Sequence, residues 1–401
     1  MFTLRYLIRY ILYFMNFFIP KQKNFLCFSS FPDLSDNSYA IFKYILKNNK
    51  INSKLIWLLS DLNSIELYKK MIYVDLEITV SEVNEKVLFI KKNSIRGIYY
   101  YIRSKHVFFT HGLYSEKKIP KNHILINLWH GMPLKNVGKL DGKEEVPKFS
   151  YTVATSKKYQ IVMEKVFDVP KRKVLITGQP RCDLLFENKN SLLRIGIQKD
   201  NYNKVIFWAP TYRQSIIGDI RNDVISENIL GLPVVSLSEL KTLNEHLEKL
   251  NSFLIIKIHP MDILNLYKLP SYSHILVLNN EQLLTNQIQL YNLLGECDAL
   301  LTDYSSIYID YLLLNKPILF VASDFDEYLD TRGFLFSNMK ELMPGPIASN
   351  FTELIILLKE IILNDLSEYK EKRLKTSKIF NKIEEKFSDN LISNIKTISK
   401  G

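Results

Sequence analysis

The stretch HILINLWHG, residues 123–131, is an apolar run that ends on a tryptophan, a histidine and a glycine. Such a short, continuous apolar run is typical of a strand buried inside a parallel sheet. Two other apolar runs also end on polar residues, KIHP at 257–260 and TDYSS at 302–306. Because open α/β sheets bind ligands outside the carboxyl ends of their strands, these stretches predict both a fold and the location of a site.

Similar runs alternate with amphipathic stretches in two series, separated by the polar residues 187–203. The first series predicts strands at 24–30, 54–60, 105–112, 123–131, 150–156 and 173–180, and the second at 204–213, 253–260, 274–279, 298–306 and 317–323. Helices are predicted at 39–48, 157–167, 237–250 and 306–314. This alternation favours an α/β fold with two Rossmann-like, doubly wound lobes, a cleft between them and a helical carboxyl-terminal tail.

Domain boundaries are predicted from the same series. We place a basic amphipathic segment at residues 1–22, a first lobe at 23–190, a second lobe at 200–375 and the tail at 376–401. No Gly-x-Gly-x-x-Gly fingerprint follows any predicted strand, which disfavours a dinucleotide-dependent enzyme.

The composition is that of a globular protein with a basic surface. The 401 residues are 47% hydrophobic and carry a formal net charge of +11, which implies a nucleic acid, an anionic lipid surface or a phosphorylated substrate as partner. No arginine-rich stripe with interleaved aromatic residues is present, so nucleic acid is disfavoured. Cys27, Cys182 and Cys297 are far apart in the chain, which favours unpaired thiols in the cytosol.

The amino-terminal segment MFTLRYLIRYILYFMNFFIPKQK carries Arg5, Arg9, Lys21 and Lys23 and no acidic residue. Its longest stretch without a charged residue, 10–19, is about half of the ~20 residues that a spanning helix needs. A proline and a lysine follow where a signal peptide would need small residues. Two alternatives stay open: a helix in the interface of an anionic membrane, and an ordinary helix packed on the core.

The second lobe offers groups that suit a phosphate. Asp303 ends a predicted strand, and Ser305 and Ser306 stand at the start of the next helix, where unpaired backbone N–H groups favour an anion. The same serines would also serve simply to cap the helix.

Two more strand ends of that lobe carry oxyanion donors. Lys257 and His259 are two residues apart and point to the same face of a strand, and FWAPTYR arranges Thr211 and Arg213 in the same way. A lysine, an imidazole and a forked guanidinium suit a diphosphate, although each motif alone also fits a satisfied structural side chain. Three strand ends with such groups in one lobe favour a phosphate-binding role over a coincidence of structural side chains.

The first lobe offers a candidate general base. His130 ends a buried run and is followed by Gly131, so its ring should project into the cleft from a loop whose backbone can approach a ligand closely. A histidine near neutral pH is suited to take a proton from an attacking hydroxyl. His111, in THG, ends another run in the same way, and spacing alone does not separate the two histidines.

Many of these motifs occur in one order along the chain: LWHGMPLKNVG, ATSKKYQIVMEKVF, TGQPRCDLL, FWAPTYR, IIKIHP, LLGECDALLTDYSSIYIDYLLLNKPILF, RGF and MPGPI. Together they resemble the CDP-glycerol glycerophosphotransferase family, the enzymes that build teichoic acids and related poly(polyol phosphate) capsules. The resemblance covers residues 24–390, nearly the whole chain.

The resemblance implies a GT-B architecture with the nucleotide bound by the second lobe, and peripheral attachment to the cytoplasmic face of an anionic cell membrane. It implies that His130 is the catalytic base and that His259, Ser305 and Ser306 hold the diphosphate. Further correspondences are Arg213, Lys257, Thr211, Asp303 and Asp310 for the donor, and Trp129, Gly131 and Lys135 for the acceptor side. Asp310 would fit equally well as a structural carboxylate.

In the implied reaction, His130 removes a proton from an acceptor hydroxyl, the oxygen attacks the β-phosphorus of a CDP-polyol such as CDP-glycerol, and CMP leaves. The acceptor would be a lipid-linked or oligomeric polyol phosphate. The sequence requires no cofactor, and Mg²⁺ stays an open alternative. Asn127 stands where many relatives have a glutamine, and FSSFPDLSDNS lacks a glycine often found there, which leaves the acceptor open.

Two other functions fit the same motifs. A glycosyltransferase of the same architecture would move a sugar from UDP or CMP, and would release a different set of products. A membrane scaffold that binds polyanions through its basic surface would need no catalytic histidine.

Overall fold

The computed structural model describes residues 2–48, 53–114, 118–211, 232–258, 270–323, 325–331 and 333–398. The chain forms two compact units, each built on a parallel sheet with helices packed on it. The first unit comprises Met1–Met132, Val137–Leu184 and Lys382–Gly401, and the second comprises Pro133–Asn136 and Leu185–Asn381. The predicted α/β fold with two doubly wound sheets is confirmed.

Helices alternate with strands along much of the first unit. In chain order they are α1 (Phe2–Phe18), β1 (Gln22–Ser29), α2 (Asp36–Asn48), β2 (Lys54–Leu59), α3 (Ile65–Leu76), α4 (Val80–Lys86), β3 (Val87–Lys91), α5 (Ile95–Arg103), β4 (Ser104–Phe109), β5 (Ile124–Asn127), β6 (Tyr151–Ala154), α6 (Lys157–Phe167) and β7 (Val174–Ile176).

The second unit repeats the alternation. Its elements are α7 (Ser191–Arg194), β8 (Lys204–Ala209), α8 (Leu237–Lys249), β9 (Ser252–Lys257), β10 (Ile275–Leu278), α9 (Asn280–Thr285), α10 (Leu290–Glu296), β11 (Ala299–Thr302), α11 (Ile307–Tyr311), β12 (Ile318–Val321), α12 (Phe325–Thr331), β13 (Ile347–Ala348), α13 (Phe351–Asn364) and α14 (Lys370–Phe380). A last helix, α15 (Phe387–Ile398), belongs to the first unit.

The strand order of each sheet decides which loops meet. The first sheet runs β3-β2-β1-β4-β5-β6-β7 and the second β10-β9-β8-β11-β12-β13. The strand pairs in both sheets are parallel. In the first sheet, Leu26 of β1 lies opposite Leu55 of β2 and His106 of β4. The loops after β1, β4 and β5 therefore leave neighbouring points of one edge.

The central strands β8, β9 and β11 are buried along almost their whole length, as expected of a parallel sheet covered by helices. In the first unit, Phe28 stacks on Phe108 with the ring centroids 5.4 Å apart, and meets Phe42 edge to face at 5.5 Å. In the second unit, Trp208 and Leu301 belong to one buried hydrophobic cluster. These cores give each sheet a rigid edge on which loops can be placed.

Two strands, β3 and β13, were not predicted, and both lie at the edge of a sheet. β13 has only two residues, too few to show a pattern, whereas β3, VLFIK, is an apolar run that the prediction missed. The predicted helix 306–314 is α11 followed by a 3₁₀ turn over Leu312–Leu314.

The carboxyl-terminal residues divide between the two units. The prediction placed a boundary between 190 and 200 and a tail at 376–401, whereas the structure divides the chain after Leu184 and assigns Lys382–Gly401 to the first unit. The backbone N–H groups of Phe387 and Ser388 both donate to the Asp183 carboxylate, each over 2.9 Å. This pair of bonds anchors α15 to the loop after β7.

Candidate active site

The predicted catalytic histidine lies on a sharp turn just beyond the carboxyl end of β5. Trp129 has a φ of 55° and Gly131 a φ of 137°. Glycine adopts such values far more readily than other residues, so the turn explains the glycine of the Trp-His-Gly motif. The strand before the turn is buried, and the ring of His130 is exposed to solvent.

The turn is held from the strand and from its own aromatic ring. The side-chain oxygen of Asn127 accepts a hydrogen bond from the backbone N–H of Trp129 at 3.1 Å. The indole of Trp129 lies 4.2 Å from the ring of His130 and meets Phe167 edge to face at 5.0 Å, both measured between centroids. These contacts restrict where the imidazole can point.

A hydrogen bond to the backbone defines the tautomer of His130. The Nδ1 atom lies 3.3 Å from the carbonyl oxygen of Thr110, which follows β4. Because a carbonyl oxygen only accepts, Nδ1 carries the proton in this bond, and Nε2 of the neutral ring is the nitrogen that can take up another. This arrangement suits a general base that acts through Nε2.

The other candidate histidine, His111, lies directly against His130. Their rings are nearly parallel, 12° apart, with centroids separated by 4.2 Å. Burial, followed by the charge of His130, lowers the pKa of His111 from 6.5 to about 3. A ring that stays neutral in this position does not repel a charge on its neighbour.

A buried network of side-chain amides holds the turn that carries His130. Asn37, at the start of α2, is fully buried, and its Nδ2 donates to the carbonyl of Trp129 at 3.1 Å and of Leu128 at 3.3 Å. The same nitrogen donates to Oε1 of Gln179 at 3.0 Å, and the Oδ1 of Asn37 accepts from the backbone N–H of Arg181 at 3.0 Å. One side chain thus joins the loops after β1, β5 and β7.

Arg181 supplies a second link to the histidine. Its guanidinium donates to the carbonyl oxygen of His130 at 3.1 Å and to the carboxylate of Asp36 at 2.9 Å. The arginine and aspartate side chains are only 7% and 14% exposed, so the ion pair is shielded from solvent. Asn37, Gln179 and Arg181 were not predicted as site residues, since their role depends on which loops meet.

In the second unit, the structure brings together two of the predicted donor-side residues. Thr211 follows β8 and Asp303 follows the neighbouring strand β11. The buried Asp303 carboxylate accepts from the backbone N–H of Thr211 at 3.1 Å and from its hydroxyl at 2.6 Å. This carboxylate therefore fixes the backbone at the end of β8.

Ser305 and Ser306 lie half-buried just beyond Asp303, at the start of α11. The side chain of Ser306 forms no capping hydrogen bond at the start of this helix. Capping, the structural alternative for this hydroxyl, is thus not observed here. With only five residues, α11 gives a weaker dipole than the predicted nine-residue helix.

Two further predicted donor residues are buried. Lys257, at the end of β9, is 5% exposed, and its ammonium donates to the carbonyl oxygen of Ile258 at 2.7 Å. Asp310 is fully buried in α11, and its carboxylate accepts from the hydroxyl of Tyr291 at 2.6 Å. The predicted roles of Arg213 and His259 fall on residues outside the described ranges.

Lys135, predicted on the acceptor side, belongs to the short segment Pro133–Asn136 that is part of the second unit. It forms an isolated antiparallel bridge with Phe334, and the backbone N–H of Leu335 donates to the carbonyl of Leu134 at 2.8 Å. The chain therefore leaves the first unit two residues after His130 and returns at Val137.

The amino-terminal helix α1 has one docked face and one exposed face. Leu12 and Asn16 are buried, and Asn16 is hydrogen-bonded to the ring of His123 at 2.7 Å. Arg9 makes a two-bond ion pair with Glu145, with both distances 2.8 Å. The exposed face consists of large apolar side chains, namely Tyr10, Ile11, Phe14, Met15, Phe17 and Phe18.

Two features are absent from the described ranges. No group of three His, Cys, Asp or Glu side chains there is arranged to hold a metal ion. No helix in those ranges is long and apolar enough to cross a membrane.

Two doubly wound parallel sheets, one ending in an exposed imidazole and the other in hydroxyl groups, make this chain an α/β protein of the GT-B type. A family model described as CDP-glycerol:poly(glycerophosphate) glycerophosphotransferase matches residues 11–396, and the chain belongs to this family of transferases.

Individual relatives are named as enzymes of teichoic acid synthesis. The chain is 29% identical to the teichoic acid glycerol-phosphate transferase of Staphylococcus aureus, over 59% of this chain and 61% of that protein. It is 26% identical to the teichoic acid poly(glycerol phosphate) polymerase of Bacillus spizizenii, over 84% of this chain and 83% of that protein. A solved structure of the wall teichoic acid polymerase TagF shares the fold, with a TM-score of 0.72 and 21% identity over 97% of this chain and 93% of that one.

Proposed function

We propose that this protein transfers a polyol phosphate, in the first instance glycerol 3-phosphate, from a CDP-polyol to a hydroxyl of a lipid-linked or oligomeric polyol phosphate acceptor. CMP is released, and the product is part of a teichoic acid or capsule polymer. Family membership over residues 11–396 supports the reaction class. The observation that carries the proposal is the exposed imidazole of His130, whose Nδ1 donates to a backbone carbonyl.

In the proposed step, Nε2 of His130 takes the proton from the acceptor hydroxyl as its oxygen attacks the β-phosphorus. The bond between that phosphorus and the oxygen bridging to CMP breaks, and CMP leaves as an anion. A positioned general base typically contributes about 10² to 10⁴ in rate. The rest of the acceleration would come from holding donor and acceptor in line.

We assign the diphosphate of the donor to Ser305, Ser306 and Lys257, with Arg213 and His259 as further predicted ligands. Their hydroxyl, ammonium, guanidinium and imidazole groups can stabilise the charge that develops on CMP. Asp303 would act indirectly, because it holds Thr211 in place and a carboxylate would repel a diphosphate. Asp310, buried against Tyr291, would stabilise α11 rather than contact the donor.

Peripheral binding to an anionic membrane surface would bring the enzyme to a lipid-linked acceptor. The exposed apolar side chains of α1 support this proposal, because aromatic rings favour the membrane interface. Arg9 is paired with Glu145, and Lys21 donates to the backbone carbonyl of Asn16, so neither charge is fully available to lipid headgroups. Apolar contact would therefore contribute more to the attachment than the sequence implied.

The test is an assay of the purified protein with CDP-glycerol, CDP-ribitol and sugar nucleotides, each with lipid-linked and oligomeric acceptors. We expect CMP and a product heavier by one polyol phosphate. His130→Gln should lower the rate of CMP release at least about 100-fold, while His274→Gln, which changes the residue just before β10, should not. Release of UDP with transfer of a sugar would support a glycosyltransferase instead. Full function of His130→Gln in cells, without turnover of any donor, would favour a scaffold.

A further inference from the structure

His111 and His130 come from two different strands and meet face to face. His111 follows β4 and His130 follows β5, which are neighbours in the sheet. The ring centroids are 4.2 Å apart and the planes differ by 12°. Phe31, from the loop after β1, meets the ring of His111 edge to face, with the centroids 5.7 Å apart. His111 thus contacts an aromatic ring as well as the candidate base.

The residue before His111 contacts both histidines. The carbonyl oxygen of Thr110 accepts from Nδ1 of His130, and its hydroxyl oxygen lies 2.9 Å from Nδ1 of His111. The two rings therefore share one short stretch of backbone. Any rotation of His130 about its side-chain bonds must break this hydrogen bond, separate the stacked rings, or do both.

The charges around His111 keep its ring suitable for stacking. The charged groups that act on it are His130, Asp36, Lys92 and Arg181. Only Asp36 favours a protonated ring, and burial, the largest effect, opposes protonation, so the pKa of His111 falls to about 3. The neutral ring can accept a charged neighbour on its π face, which two imidazolium rings could not do.

We propose that His111 is a positioning residue for His130, and that its flat, uncharged ring fixes the plane in which Nε2 of His130 meets the acceptor hydroxyl. The inference rests on the proposed function, because it gives His130 a proton to accept. His111 itself takes no proton and touches no reacting atom in this scheme.

Two substitutions at His111 separate stacking from ring chemistry. His111→Ala removes the ring and should lower kcat for CMP release roughly 10- to 100-fold, with the KM for CDP-glycerol within about twofold. His111→Phe restores a flat ring without nitrogens and should recover most of that loss. His106→Phe is the matched control, because His106 is a half-buried histidine on β4, the strand that precedes His111, and burial lowers its pKa as well; this change should leave kcat unchanged.

A second measurement does not depend on turnover. ¹⁵N NMR of histidine-labelled protein, with the His130 signals assigned from His130→Gln, should show the Nδ1–H tautomer in the wild type and in His111→Phe. His111→Ala should show a mixture of tautomers. This result would be readable even if no CDP-polyol were a substrate, so it separates failure of this inference from failure of the proposed function.

Two results would contradict a positioning role for His111. Normal kcat and an unchanged His130 tautomer in folded His111→Ala would show that the stack does not position the base. Equal loss in His111→Phe and His111→Ala, with both folded by circular dichroism, would show that the nitrogens of His111 matter and its plane does not.

Discussion

Replacing Asn37 by leucine should damage both stability and catalysis, although the residue is not expected to touch a substrate. Leucine is close to asparagine in size but can form none of the four hydrogen bonds that Asn37 makes with Leu128, Trp129, Gln179 and the Arg181 backbone. Two buried groups, the Gln179 amide and the Arg181 N–H, lose a partner at a cost of about 1 to 3 kcal/mol each. Allowing for relaxation and for the added apolar contacts, we expect the free energy of unfolding to fall by about 2 to 4 kcal/mol.

The same substitution should slow the reaction because the carbonyl of Trp129 loses its anchor. A small displacement of the base costs rate, so kcat for CMP release should fall about tenfold or more. The KM for CDP-glycerol should stay within about twofold, since the groups assigned to the donor belong to the second unit. Both effects can be measured on one preparation, by urea unfolding followed by circular dichroism and by steady-state CMP release.

The control is Asn48→Leu, which makes the same change at the exposed end of the same helix, where the side chain donates to the backbone carbonyl of Tyr44. It should alter the free energy of unfolding by no more than about 0.5 kcal/mol. If Asn37→Leu unfolded like the wild type and kept its kcat, the amide network would not be what holds the turn.

Three further predictions concern other parts of the first unit. Gly178→Ala should destabilise by about 1 to 3 kcal/mol, because a Cβ would lie 2.3 Å from Cδ1 of Phe387 at a φ of +71°; an unchanged melting temperature would contradict this. Burial lowers the pKa of His111 from 6.5 to about 3, so below pH 6.5 the ring takes up a proton on unfolding; the contribution of His111 to stability is therefore full above pH 6.5 and falls as the pH drops toward 3. His111→Phe should lose less of its urea midpoint than the wild type between these two pH values. An identical loss in both proteins would argue against the burial of His111. Phe14→Ser with Phe18→Ser, at side chains 56% and 74% exposed, should reduce sedimentation with anionic vesicles at least about tenfold without unfolding the protein, and equal sedimentation would exclude this face as the attachment.

The fold was predictable because its central strands leave a strong pattern in the sequence. The runs that became β2 and β9 are apolar almost without interruption, as burial on both faces requires. The place of α15 was not predictable, because its attachment depends on Asp183 receiving two backbone N–H groups from the far end of the chain. Contacts between residues so distant in sequence leave no periodic signal in either segment.

Sequence patterns also made His130 a candidate, because a titratable ring at the end of a buried run is unusual enough to need a reason. They did not distinguish His130 from His111, and the structure explains why: the two rings lie against each other and belong to one site. By spacing alone the two histidines were equal candidates for the general base. The hydrogen bond of His130 to Thr110 and the burial of His111 distinguish them in the structure.

The arrangement of the supporting residues follows from strand order rather than from any single motif. The order β1-β4-β5 puts the loop that starts α2 and the loops that carry His111 and His130 side by side. In a parallel sheet every strand ends at the same edge, so residues far apart in the chain can meet when their strands are neighbours or one strand apart. A polar or titratable residue that follows a strand within two positions of β5 is therefore a candidate for supporting His130. By that reasoning Asn37 and His111, which follow β1 and β4, are the first residues in this chain to test for control over the geometry of His130.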